Sequence, residues 1–194
     1  MKRREMLQRL GAAAGAGVLF TWTTEEAAQA SDHVRQARAQ DTGAYVPRFF
    51  TPAEYATIVA LSDLIIPKDD RSGSASDAGT PAFIDFIVAE QPERQVAMRG
   101  GLVWLDTECR SRFDRGFMAC SDAERRQVLD DIAWPKRARP EMRHGVRFFT
   151  TLRDLVAAGF FSSRIGVADL GYLGNRPAVW DGTPAAILKR IGVN

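Results

Sequence analysis

The side chains most suited to acid–base or metal chemistry lie in one polar stretch, residues 68–79. It contains Asp69, Asp70 and Asp77 together with two glycines. Carboxylates act as general acids and bases, and hard cations such as Ca²⁺ bind several oxygens at once. The alternating Asp spacing and terminal Glu of a calcium-binding helix–loop–helix are missing. A solvated surface loop is therefore the preferred interpretation.

Two cysteines, Cys109 and Cys120, are separated by ten residues. A turn between two helices would bring them within bonding distance, and a disulfide would then form in an oxidising compartment. The loop-entropy model gives such a bond a stabilisation of roughly 3 kcal/mol. Two separate buried thiols are the alternative, because Cys109 falls on an apolar stripe with Leu102 and Leu105.

The remaining candidates for chemistry are two histidines, His33 and His144. His33 lies in the polar leader, where solvation is the preferred interpretation and metal binding the alternative. His144 has no adjoining Ser, Cys or carboxylate motif, so it supports no catalytic triad. The sequence has no CxxCH, which excludes a covalently attached haem, and two Cys with two His disfavour a four-ligand zinc or iron–sulfur site. We therefore expect no catalytic, cofactor-binding or metal-binding residue in this chain.

Length and charge limit the possible classes of protein. The chain has 194 residues, of which 45% are apolar, which suits one domain with a substantial core. Lys and Arg number 26 against 24 Asp and Glu, so the chain lacks the basic surplus of a nucleic-acid-binding protein. We expect no nucleic-acid partner.

The N-terminus has the order of an export signal: basic, then apolar, then small. Arg3 and Arg4 form an adjacent pair, a weakly apolar run covers residues 10–20, and Ala28 and Ala30 supply a small-x-small cleavage site. The run is too short to span a bilayer. The segment resembles a twin-arginine signal, with an ordinary secretory signal as the alternative. Either predicts a mature chain in the periplasm.

Helix start and stop signals predict an all-α fold, and no long alternating strand pattern occurs. We divide the chain into a signal (1–30), an extended leader (31–47) and a helical domain (48–194). That domain is expected to be a compact single-domain bundle with an ordered C-terminal loop rich in Gly and aromatic residues. The predicted helix starts are Thr51-Pro52 with Glu54, Thr80-Pro81, Gln91-Pro92, Ser121 with Glu124, Met142 and Thr183-Pro184.

The long apolar helix predicted over residues 142–156 has apolar side chains on more than one face. Those side chains form either the domain core, which we prefer, or a surface shared with a partner. The aromatic groups beyond it have the same two interpretations, local packing or docking. The docking candidates are Phe160, Phe161, Tyr172, Asn175 and Trp180.

Several segments, taken together with the paired arginines, resemble the gluconate 2-dehydrogenase subunit 3 family. They are FTPAEY (50–55), LIIPKD (64–69), AGTPAFID (78–85) and GYLGN (171–175) with Trp180. The resemblance implies a non-catalytic small subunit that binds a large FAD-dependent, GMC-type subunit oxidising a sugar or glucoside hydroxyl. Electrons would pass to a c-type cytochrome or another acceptor.

The resemblance also implies a shared export route. The flavin subunit would lack its own signal and leave the cytoplasm attached to this chain, an arrangement called hitch-hiking, and the membrane would be reached only through the complex. The alternatives are an autonomous periplasmic hydrolase or lyase that uses Asp69, Asp70 and Asp77, and an exported scaffold without a redox role.

Overall fold

The computed structural model of the chain describes residues 45–172, together with residues 29, 32, 183, 185–190 and 192. Several predictions concern residues outside this set and stay predictions: the export signal, its cleavage site, most of the leader, and the glycine-rich loop after residue 172. The site residues concerned are Arg3, Arg4, Ala28, Ala30, Asn175 and Trp180.

The described residues contain seven α-helices and two short 3₁₀ turns, and no strand occurs among them, which confirms the all-α prediction. In this part of the chain no helix has both the length and the apolar content needed to cross a bilayer. The helices are α1 (Pro52–Ile65), α2 (Thr80–Glu90), α3 (Pro92–Phe113), α4 (Asp122–Ala133), α5 (Arg143–Phe161), α6 (Arg164–Leu170) and α7 (Ala185–Arg190); the 3₁₀ turns are Phe117–Ala119 and Pro140–Met142.

Capping boxes begin α1 and α4, as the sequence predicts. The Thr51 hydroxyl accepts from the Glu54 backbone N–H at 3.2 Å, and Thr51 N–H donates to Glu54 Oε2 at 2.8 Å. Ser121 and Glu124 repeat this reciprocal pair at α4. Both caps satisfy N–H groups that have no partner inside the helix, which is why the two starts are sharp.

The start of α2 differs from the prediction. Thr80 is the first helical residue rather than the cap, and Gly79 caps the helix with a φ of 80°, a conformation that favours glycine. The Thr80 hydroxyl is buried and has no hydrogen-bond partner among the described residues. Its methyl group packs against Gly159 of α5 instead. Packing against the core, rather than capping, therefore explains Thr80.

Helix α5 lies at the centre and contacts α1, α2, α3, α4 and α6. It extends five residues beyond the predicted end, and its apolar side chains are buried on more than one face, which supports the core interpretation. A Cβ on Gly101 of α3 would lie 2.0 Å from the Phe148 ring, and one on Gly145 would lie 2.2 Å from the Trp104 ring. Both glycines allow α3 and α5 to pack closely.

Candidate docking site

One buried carboxylate holds the segment where the leader joins the helical domain. Asp85 of α2 is fully buried. Its oxygens accept hydrogen bonds from the backbone N–H groups of Arg48 (2.7 Å), Phe49 (3.1 Å) and Phe50 (3.0 Å), and from the Tyr45 hydroxyl (2.8 Å). Burial, followed by the hydrogen bond to Asp85, raises the pKa of Tyr45. Four donors thus compensate the cost of burying this carboxylate.

Arg99 of α3 packs on the outer side of the same segment. Its guanidinium lies 4.3 Å from the centroid of the Phe49 ring and donates to the Phe49 carbonyl at 2.9 Å. Arg99 Nε also lies 3.3 Å from Glu54 Oε1 of α1. The leader therefore enters the domain at a point fixed by three helices. In the sequence, the signal for this buried and hydrogen-bonded carboxylate is the single Asp inside the apolar run PAFIDFIV (81–88).

The carboxylates of the polar loop hold its own turns. Asp69 Oδ1 accepts from the backbone N–H groups of Arg71 (3.0 Å) and Ser72 (2.9 Å), and Asp77 Oδ2 accepts from Ser74 N–H (2.9 Å). Asp70 is exposed. Within the described residues, no group of three His, Cys, Asp or Glu is arranged to hold a metal ion. These contacts favour the predicted surface loop.

The polar loop is connected to the end of α6, where two large side chains reach the surface. Arg71 Nη2 donates to the Asp169 carbonyl at 2.8 Å and lies 3.6 Å from Asp169 Oδ1. Leu170 is 51% exposed and Tyr172 is 60% exposed. We call Leu170 and Tyr172 the α6-end surface. This surface offers one aliphatic and one aromatic side chain beside the polar loop, which Arg71 connects to Asp169.

Phe160 does not belong to a docking surface, and that prediction is wrong. Its side chain is fully buried, and α6 packs so closely that a Cβ on Gly166 would lie 2.0 Å from the Phe160 carbonyl oxygen. Phe161 is partly exposed and packs edge-to-face on the Phe160 ring, with the centroids 5.1 Å apart. Of the five docking candidates, Tyr172 is exposed and Phe161 is partly accessible.

The structure brings Cys109 and Cys120 together as two free, buried thiols. Burial, together with the charge and hydrogen bond of Cys120, raises the pKa of Cys109 to about 12. Cys120 Sγ also contacts the Arg115 carbonyl at 3.8 Å. The loop between α3 and α4 thus brings the two cysteines into contact, as the spacing suggests. The predicted bond between them is not formed in this structure.

Comparison with protein families identifies the group to which the chain belongs. The model for gluconate 2-dehydrogenase subunit 3 matches residues 52–182, about two thirds of the chain. The chain belongs to the gluconate 2-dehydrogenase subunit 3 family. Membership confirms the resemblance seen in the sequence and makes the chain an accessory subunit of a multi-subunit oxidoreductase complex. No curated protein and no solved structure gives a significant match.

The part matched to subunit 3 includes helices α1 to α6 and leaves out residues 45–51 and α7. It contains Asp85, the polar loop, both cysteines and the α6-end surface. In a subunit 3 chain these features have two evident uses: they hold the fold, or they offer contacts to other subunits. The α6-end surface is the candidate for the second use, since its two large side chains are exposed.

Proposed function

We propose that this chain is the non-catalytic small subunit of an FAD-dependent sugar or glucoside dehydrogenase. It binds and stabilises the GMC-type flavin subunit and supplies the export signal for both. The match to subunit 3 over residues 52–182 is the observation that carries this proposal.

The surface of the chain supports a docking role. Tyr and Trp are enriched in interface positions that contribute most to binding, because they bury much apolar area while keeping one polar group. Tyr172 has this chemistry, and Leu170 lies two residues before it. The ion pair of Arg71 with Asp169 braces the backbone beneath them. A partner would therefore meet a surface that is already ordered.

The reactive chemistry belongs to the partner in this proposal. Oxidation of a sugar hydroxyl requires a hydride acceptor and a positioned base. FAD on the large subunit would supply the first, and the electrons would leave through a c-type cytochrome or another acceptor. In this chain, two of the three candidate carboxylates, Asp69 and Asp77, hold the turns of their own loop.

Export of the assembled pair follows from the paired arginines. A twin-arginine route carries folded proteins, so a flavin subunit already attached to this chain would reach the periplasm with it. The complex would then meet the membrane only through its other subunits.

Co-expression tests the proposal. This chain carries a C-terminal tag, the flavin subunit carries none, and the purified material is examined for the visible absorbance of flavin. We expect the flavin subunit to co-purify in a yellow complex that oxidises a sugar. Purification of this chain alone, with the flavin subunit recovered active and monomeric in the flow-through, would contradict the proposal.

A further inference from the structure

Five basic side chains cluster where α4 is joined to α5. Residues 134–147 contain four arginines and one lysine but a single acidic residue, Glu141. All five basic side chains are exposed. We call this set the basic patch; its members are Lys136, Arg137, Arg139, Arg143 and Arg147.

Most of this charge is not neutralised within the fold. Arg139 Nη1 lies 3.5 Å from Glu141 Oε1, and Arg139 Nη2 lies 4.0 Å from Asp131 Oδ2. Among the described residues, no carboxylate lies within ion-pair distance of the other four basic side chains of the patch. Since the chain as a whole is nearly neutral, the patch is a local concentration of positive charge and not a consequence of composition.

The position of the patch is unfavourable for the isolated chain. Arg143 occupies the first position of α5, where positive charge opposes the helix dipole, and Arg147 follows at the fifth position. They are also four residues apart on one helix face, a spacing at which like charges repel. No acidic residue lies in the first turn of α5 to offset them. Folding alone gives no reason for this arrangement.

The backbone beneath the patch is rigid. Arg137 N–H and Ala138 N–H both donate to the Trp134 carbonyl, at 2.8 and 3.0 Å, which closes a tight turn. Met142 is buried, and Gly145 packs against the Trp104 ring. The backbone that carries the arginines is thus already ordered, so binding a partner need not order it.

We propose that the basic patch docks an acidic surface of the catalytic subunit; this deepens, and rests on, the proposed function. A guanidinium presents paired N–H donors that match a carboxylate, so a patch of four arginines and one lysine suits protein carboxylates in fixed places. Residues 134–147 contain no exposed large apolar side chain to insert into a lipid surface. Charge steers the encounter of the two subunits and sets their orientation.

The test compares two double charge reversals in the full-length chain. Arg143→Glu/Arg147→Glu changes the patch, and Lys189→Glu/Arg190→Glu, in exposed positions of α7, makes the same change in net charge elsewhere. Association with the purified flavin subunit is followed by biolayer interferometry at 50 mM and 500 mM NaCl. The patch reversal should lower the association rate about 10- to 100-fold at low salt, with a smaller difference at high salt. The α7 reversal should stay within about twofold of the native chain.

Folding is checked separately, because the patch reversal replaces unfavourable charges at the α5 N-terminus with favourable ones. Its melting temperature should equal or exceed that of the native chain, so a loss of binding would not reflect unfolding. Arg143→Lys/Arg147→Lys keeps the positive charge but removes the paired N–H donors of the guanidinium. This variant should retain most of the association rate and dissociate faster.

Three results would overturn the proposal. If the patch reversal associates at the native rate at low salt while the native chain binds normally, the patch is not the docking surface and the proposed function stands. If the native chain sediments with phosphatidylglycerol vesicles, and the reversal abolishes this without changing subunit binding, the patch serves a membrane. Failure of the native chain to bind the flavin subunit at all would end both proposals.

Discussion

Replacing Asp85 with asparagine should release the segment that joins the leader to the domain. Asp85 Oδ1 accepts from Phe49 and Phe50, and Oδ2 accepts from Tyr45 and Arg48. In either orientation of the new amide, its NH₂ group takes the place of Oδ1 or of Oδ2. That NH₂ group is a donor, and it then faces N–H or O–H groups that are also donors. Asp85→Asn therefore loses hydrogen bonds to a charged acceptor and leaves at least one backbone N–H without a partner.

The size of this effect follows from the contacts. A hydrogen bond to a charged group contributes about 1.5–3 kcal/mol, and a buried group left unsatisfied costs about 1–3 kcal/mol. Because the partners relax in part, we expect Asp85→Asn to lower the free energy of unfolding by about 3 kcal/mol. For a chain of this length, that lowers the melting temperature by about 6–12 °C. Urea denaturation and thermal melting followed by circular dichroism measure both quantities.

Tyr45→Phe is the matched control, since it removes one donor and leaves the carboxylate charged. It should cost only about 1 kcal/mol. Hydrogen exchange adds a local measurement: the amides of residues 48–50 should exchange much faster in Asp85→Asn than in Tyr45→Phe. If Asp85→Asn melts within 2 °C of the native chain, roughly the shift expected for less than 1 kcal/mol, and these amides stay protected, the reasoning about the buried carboxylate is refuted.

Three further predictions concern docking, the cysteines and export. Tyr172→Ala should weaken binding to the flavin subunit about 10- to 100-fold in a titration, with an unchanged melting temperature; native affinity would remove Tyr172 from the interface. Cys109 should resist alkylation at pH 8, because burial and the Cys120 contact raise its pKa to about 12. Refolding from denaturant in oxidised glutathione, which reaches the thiols while they are exposed, should raise the melting temperature of the native chain but not of Cys109→Ser or Cys120→Ser, and equal shifts would exclude a bond between them. Arg3→Lys/Arg4→Lys should retain both subunits in the cytoplasmic fraction, whereas normal periplasmic activity would contradict shared export.

Local signals in the sequence were sufficient to predict most of the helix boundaries. The capping boxes at Thr51 and Ser121 depend on residues three apart, and Pro67 ends α1 by restricting the residue before it. Each of these effects acts within one turn of helix, so it is readable without the fold. The same holds for Leu102, Leu105 and Cys109, whose spacing alone places them on one buried helix face.

What the sequence could not predict are contacts between elements that are distant in the chain. Thr80 resembled a cap because Pro81 follows it, but the left-handed Gly79 takes that place and Thr80 packs against α5. Phe160 is buried because α6 returns over the end of α5. Asp85 binds a segment some 35 residues before it. No periodicity or local motif specifies such pairings, which arise from the packing of helices around α5.

The central claim is that this chain assists a flavin enzyme and does not carry the reactive group. The direct measurement is to dissociate the co-purified complex in high salt without denaturing it, separate the two subunits by size exclusion, and assay both fractions for flavin and sugar oxidation. The account predicts that all the flavin follows the large subunit, and that the separated small chain is colourless, inactive and able to bind fresh flavin subunit. Sugar turnover, or a tightly bound prosthetic group, in the isolated small chain would contradict it.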